Sequence, residues 1–215
     1  LQKLDKYAAL LVEWNEKINL TAITEPDEIV MKHFIDSFLL LNHVEHEKPF
    51  SLIDVGTGAG FPSLPCKIIC DSMELIMLDS LNKRINFLNE VIAQVNVNAK
   101  AIHGRAEECG NQPHLREQFD YATARAVAHL RGLSEYCLPY VKVGGTFVAL
   151  KGYEIEQELE EAKPAIKALG GKVIDVVKYE IHDSGKRAIV LIKKISQTPT
   201  KYPRSFAKIK KQPIK

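Results

Sequence analysis

Ile53-Asp54-Val55-Gly56-Thr57-Gly58-Ala59-Gly60-Phe61-Pro62 is a short apolar run that ends in three glycines, each separated from the next by one residue. Glycines at the end of a strand let backbone approach a ligand closely at the mouth of a crevice. Downstream, strand-like runs at Leu75–Leu78, Ala99–Ile102, Phe119–Thr123 and Thr146–Leu150 follow the opening run Ser51–Val55. Helical stretches near Gly60–Ile69, Asn82–Val95, His129–Val141 and Glu154–Leu169 lie between and after them. Strand–helix alternation with crossovers of this length implies right-handed βαβ units and a mostly parallel sheet. Val173–Tyr179 and Ala188–Ile192, separated by Asp183-Ser184-Gly185, read as a C-terminal antiparallel hairpin. The fold class is therefore α/β and Rossmann-like, with seven strands and helices on both faces.

Upstream of the glycines, Leu4, Ala8, Leu11 and Val12 keep helical spacing, so residues from about Leu1 to Lys17 read as an amphipathic helix with Trp14 in core packing. Asn19-Leu20-Thr21 reads as a turn. Thr24, ahead of Pro26, Asp27 and Glu28, starts a second helix whose apolar face carries Ile29, Phe34, Phe38 and Leu41. The chain opens on Leu1, which suggests that a segment precedes it. We expect a helical extension over 1–48, the main domain over 49–195 and a basic tail over 196–215.

Composition narrows the class. The 46% hydrophobic and 26% charged fractions of these 215 residues exclude wholesale disorder. No apolar run is long enough to span a bilayer, so no membrane partner is expected. The four cysteines are too few for a disulfide scaffold, and Cys66 and Cys70 lack a second pair to complete a zinc site. A reduced, cytoplasmic protein without a metal is the economical reading. The net charge of +2 hides an asymmetry: no acid follows Asp183, while the last 32 residues carry ten Lys or Arg. Arms of this kind often meet nucleic acid.

The glycine loop is not a dinucleotide fingerprint. That pattern wants glycine at its first, third and sixth positions, and Phe61 occupies the sixth. Asp54 stands two residues ahead of the first glycine, and an acid before G-x-G-x-G is the pattern of S-adenosylmethionine sites. Such a ligand carries positive sulfonium and amino groups and no pyrophosphate. Asp79 ends the second strand, 23 residues after Gly56, where a carboxylate can accept from both ribose hydroxyls. Glu107, in His103-Gly104-Arg105-Ala106-Glu107, faces either the adenine or its own helix start. The fourth strand ends in Thr123-Ala124-Arg125-Ala126, with neither the Asn/Asp-Pro-Pro-aromatic loop of exocyclic-amine methylation nor a Pro-Cys nucleophile. Arg125 there suits a ring atom that needs no deprotonation.

Taken together, the chain resembles the glucose-inhibited division protein B family, bacterial 16S rRNA guanine-N7 methyltransferases. The resemblance covers nearly the whole chain. It rests on Leu11-Val12-Glu13-Trp14-Asn15, Ile18-Asn19-Leu20-Thr21, Lys32-His33-Phe34-Ile35-Asp36-Ser37, Asp54–Pro62, Asp79-Ser80 with Lys83-Arg84, Arg105-Ala106-Glu107, Thr123-Ala124-Arg125-Ala126, Leu150-Lys151-Gly152 and Tyr202-Pro203-Arg204. Phe61 stands where many relatives carry Leu. The resemblance implies a class I methyltransferase fold that uses S-adenosylmethionine. The expected cofactor residues are Asp54, Gly56, Gly58, Phe61, Asp79, Ser80, Ala106, Glu107 and Arg125. Arg125, Asp36 and His33 are the candidate catalytic residues. Asn19, Lys83, Arg84, Lys151 and Arg204 are candidate contacts to 16S rRNA, presented naked, in an assembly intermediate or in the small ribosomal subunit.

Overall fold

In a computed structural model describing residues 1–125, 127–181 and 185–215, helix α1 runs Gln2–Ile18 and buries Leu4, Tyr7 and Leu11. Asn19 ends it in the left-handed conformation at φ 50°, which asparagine tolerates better than most residues. The Asn15 Oδ1 then accepts from the Leu20 and Thr21 amides at 2.6 and 2.8 Å, fixing the turn read from sequence. The second helix differs in detail. Helix α2, Pro26–Ile29, starts one residue later than expected, with Glu25 in place of Thr24 at the cap position. The chain then widens into a π-helical segment, Val30–Ile35, before α3, Asp36–Phe38, and a 3₁₀ turn, Leu39–His43. The i→i+5 turn shifts the helical phase. Leu40, not Leu41, reaches the interior, and His33 and Asp36 are both buried.

Two compact units divide the described residues, Leu1–Gly104 and Arg105–Lys215. The first continues with β1 (Phe50–Val55), α4 (Ser63–Ile69), β2 (Met73–Asp79), α5 (Asn82–Val95) and β3 (Ala99–His103). β1 pairs with β2 and β2 with β3, both in parallel. Leu52, Ile53, Met77, Phe87 and Leu88 form its solvent-free centre.

The second unit holds α6 (Ala106–Cys109), β4 (Phe119–Arg125), α7 (Leu130–Cys137), β5 (Val141–Gly152) and α8 (Glu156–Ala168). β6 (Gly171–Ile181), β7 (Gly185–Lys194) and α9 (Phe206–Lys211) complete it. β4 and β5 are parallel, whereas β5–β7 and β6–β7 are antiparallel. The hairpin closes with Ile181 opposite Gly185; Asp183 and Ser184 of the expected turn lie outside the described residues. The strands order as β3-β2-β1-β4-β5-β7-β6, a mixed seven-stranded sheet that is parallel apart from its C-terminal strands.

The segment 196–215 is a folded part of the second unit. Arg116 donates to the carbonyls of Thr198 and Tyr202 at 2.7 and 2.8 Å, and to Gly110 at 3.2 Å. Tyr202 and Ile209 are buried, and α9 lies within the stretch read from sequence as a tail. Lys194 is fully buried, donating to Glu117 and to the carbonyls of Leu138 and Val141, each at 2.9 Å. Desolvation pushes its ammonium below the usual lysine range, partly offset by Glu117.

Candidate functional site

At the C-terminal end of β1 the chain turns through Gly56, Gly58 and Gly60, all at positive φ, before α4 begins at Ser63. Asp54 shapes this loop. It is fully buried, and its Oδ2 accepts from the Thr57 hydroxyl at 2.8 Å and the Ser63 hydroxyl at 2.6 Å. The sequence reading set Asp54 against the positive groups of a cofactor. In the structure its Oδ2 is engaged by the loop and by the first residue of α4.

Asp79, at the end of β2, is 3% exposed and reaches the same loop. Its Oδ2 accepts from the Gly58 amide at 2.9 Å and from Arg84 at 3.2 Å, and its Oδ1 from the Leu81 amide at 2.9 Å. A carboxylate has about four lone-pair sites, so these three bonds leave acceptor capacity at the strand end. Gly58 has φ +63° and no heavy atom within 4 Å of where a Cβ would stand. The loop therefore presents bare backbone to open space beside a carboxylate. Ser80 and Lys83 follow, both exposed.

Gly60 has the opposite environment. A Cβ there would meet the Tyr7 hydroxyl at 2.6 Å and Leu88 at 3.0 Å. Tyr7, fully buried on α1, donates its hydroxyl to the Ala59 carbonyl. Its ring stacks on Phe61 at 5.5 Å, and His33 stacks on Phe61 at 4.3 Å with 14° between the planes. The His33 Nε2 meets the Thr21 hydroxyl at 2.9 Å. An aromatic sandwich, His33–Phe61–Tyr7, thus braces the glycine loop. The sequence makes His33 a candidate catalytic residue and gives Tyr7 no role. Tyr7 falls in the apolar stripe of α1 with Leu4 and Leu11, where it reads as ordinary packing. Nothing local names a carbonyl 52 residues away.

The second unit places its own candidates. Ala106 opens α6, and its carbonyl accepts from the Tyr140 hydroxyl at 2.7 Å. Glu107 is 7% exposed. Burial, with Glu107 and Glu135 nearby, pushes the Tyr136 phenol up to about 12. Arg125 ends β4 and pairs in register with Leu150, the residue before Lys151; Ala126 lies outside the described residues. Lys151 donates to the Ala128 carbonyl at 2.9 Å and sits 2.5 Å from Glu158.

Several residues expected at RNA are therefore engaged internally: Asn19 terminates α1, Arg84 pairs with Asp79, and Lys151 clamps Glu158. Arg204 forks onto Glu135, itself 1% exposed, with Nε and Nη2 bonds of 2.9 and 2.7 Å. Of that expected group, Lys83 alone has no internal hydrogen bond or ion pair among the described residues. Among those residues, no three His, Cys, Asp or Glu gather as a metal site, and no helix is long and apolar enough to cross a membrane.

A family model described as GidB, rRNA small subunit methyltransferase G, matches residues 1–190. The ribosomal RNA small subunit methyltransferase G of Clostridium beijerinckii is 52% identical over 216 residues, spanning 100% of this chain and 90% of that protein. Its counterpart from Clostridium botulinum (strain Eklund 17B / Type B) is 50% identical with the same coverage. Among solved structures, a SAM dependent methyltransferase from Aquifex aeolicus aligns with TM-score 0.57 at 16% identity, over 78% of this chain and 93% of that one. TYW2 of M. jannaschii in complex with AdoMet gives 0.58 at 16%, over 75% and 76%. Identities this low speak to the fold alone, the methyltransferase α/β fold. The half-identical relatives and the family model spanning 1–190 speak to more: the chain belongs to the GidB family, rRNA small subunit methyltransferase G.

Proposed function

We propose that the protein methylates N7 of one guanine in the decoding-region loop of 16S rRNA, using S-adenosylmethionine and no general base. The observation that carries this reading is the pairing of the open Gly58 backbone with the buried Asp79 carboxylate at one strand end. An adenosyl group with both ribose hydroxyls free fits that chemistry, since Asp79 keeps acceptor capacity and Gly58 offers no side chain to collide with. NAD fits less well. Its fingerprint needs glycine where Phe61 stands, and Phe61 is locked between His33 and Tyr7.

In this reading Gly56, Gly58 and Phe61 shape the pocket, and Asp79 with Ser80 holds the ribose. Ala106 and Glu107 receive the adenine, and Arg125 orients the cofactor or the base. Bound S-adenosylmethionine supplies an activated methyl whose carbon–sulfur bond breaks as the N7 lone pair forms the new bond, leaving a neutral thioether and a positively charged purine. N7 carries its in-plane lone pair at neutral pH, so the protein has no proton to remove. Its tasks are alignment and exclusion of water. Asp36, 3% exposed, is the acid proposed to favour the charge that develops on the purine. His33, held by Thr21 and Phe61, acts by fixing the loop and not by proton transfer. The substrate is the rRNA of the small subunit or an assembly intermediate, which places the protein in the cytoplasm. Lys83 remains the proposed phosphate contact of the first unit; Asn19, Arg84, Lys151 and Arg204 contribute by positioning.

Calorimetric titration separates the cofactor readings, with S-adenosylmethionine expected to bind and NAD not. Single-turnover methylation should then stay nearly flat over about pH 6.5–8.5, because no group has to titrate. An ionisation at about pH 6–7 that disappears in His33→Ala would overturn the base-free mechanism.

A further inference from the structure

The last folded segment carries an exposed aromatic that packing does not explain. Phe206 opens α9 and is 46% exposed, while Ile209, three residues on, is 3% exposed and supplies the helix's inward contact. Two cations flank the Phe206 ring: the Arg105 guanidinium and the Lys210 ammonium each lie 5.9 Å from its centroid. Beside it opens a cleft of about 500 Å³ lined by Arg105, Glu108, Asn111, Arg204 and Phe206 among others. That volume suits a nucleoside.

The surroundings are rigid. Arg116 holds the backbone at Thr198 and Tyr202, Arg204 is forked onto Glu135, and Asn111 donates to the Pro203 carbonyl at 3.3 Å. Phe206 is thus an exposed apolar ring on a well-anchored segment, with two cations near its centroid.

We infer that Phe206 and Arg105 form a stacking platform for an unpaired base of the RNA substrate, with Lys208, Lys210 and Lys211 along its phosphates. This rests on the rRNA reading above and extends it to a second contact point. Bases splayed from single-stranded loops stack on aromatic faces and on guanidinium planes, and a neighbouring cation strengthens the contact. Charge sets the orientation. Glu107 and Glu108 lie 4.0 and 3.9 Å from Arg105, and Glu108 is exposed, so a phosphate above them would be repelled. The exposed lysines of α9 carry no such acids after Asp183, so the backbone runs on that side and the base lies over the ring. Exocyclic amino groups of a stacked base would then find Glu108 as an acceptor.

The test measures affinity of the full chain for 16S rRNA across a salt series, with S-adenosylmethionine titration as a control of the cofactor site. Phe206→Ala should weaken RNA binding about tenfold, leave the salt slope unaltered and spare cofactor affinity. Phe206→Trp should restore binding. Lys210→Gln with Lys211→Gln should instead flatten the slope, by about 0.7 for each phosphate no longer neutralised. Wild-type affinity in Phe206→Ala, or equal weakening in Phe206→Trp, would overturn the platform while the methyltransferase reading stands. If the unaltered protein bound no rRNA at all, both would fall together.

Discussion

Asp79 joins two tasks in one carboxylate: it holds the Gly58 and Leu81 amides and is proposed to hold the cofactor ribose. Asp79→Ala should therefore weaken S-adenosylmethionine binding by about 1.5–3 kcal/mol, the scale of a hydrogen bond to a charged group, as read by calorimetry. An unchanged dissociation constant would place the ribose elsewhere. Tyr7 makes the second test at this scale. Tyr7→Phe keeps the ring between Phe34, Phe61 and Phe87 but leaves the buried Ala59 carbonyl without its donor. Denaturant unfolding should register a loss of about 1–3 kcal/mol. A variant as stable as the original would mean that the hydroxyl bond contributes nothing. The place of Asp79 was legible, because an acid that closes an apolar run in an alternating strand–helix pattern stands at the strand end. The seat of Asp54 was not: it depends on Ser63, nine residues on, and on how the loop curls back.

Elements were read well where periodicity is long and poorly where partners are distant. The five strands of the alternating region and the closing hairpin all formed, each longer at one or both ends than the apolar runs suggested. The π-helical segment escaped notice because no residue in Val30–Ile35 forbids an ordinary helix. The basic segment was visible as charge, but its neutralising acids were not. Glu117 and Glu135 stand 77 and 69 residues from Lys194 and Arg204, so a folded segment read as a basic tail. The consequence is measurable. Arg204→Ala leaves Glu135 buried without its guanidinium, and thermal or denaturant unfolding should record a loss of roughly 3 kcal/mol. Adding Glu135→Gln should recover part of it. A neutral effect of Arg204→Ala would mean that the fork holds nothing in place. The same fork drives the Arg204 pKa upward.

At the scale of the whole molecule, the α/β alternation and the blocks that carry the family resemblance were legible together, because strand–turn–helix units repeat along the sequence. The alkaline limit of stability was not, since it rests on buried phenols. Burial pushes Tyr136 from 10 up to about 12, with Glu107 and Glu135 adding to it, and pushes Tyr140 up further. Well below pH 10 both phenols are neutral folded or unfolded. Above it the unfolded chain sheds protons that the native chain retains, so stability falls as pH rises through 10 to 12. Unfolding midpoints followed with pH should drop across that window, less steeply in Tyr140→Phe. A midpoint constant across it would show that these phenols titrate alike in both states.

The central claim concerns one atom of one base. Borohydride reduces the positively charged imidazolium ring of N7-methylguanine, the reduced base is lost, and aniline then cleaves the chain at the abasic site by β-elimination. Unmodified guanines, whose rings are neutral, stay intact. Small subunits lacking the modification should be incubated with the protein and S-adenosylmethionine, treated in this way, and the 16S rRNA ends mapped. The account predicts a single new cut, at a guanine in the decoding-region loop, absent when the cofactor is omitted. Methyl incorporation without any cut would place the methyl on another atom and contradict it.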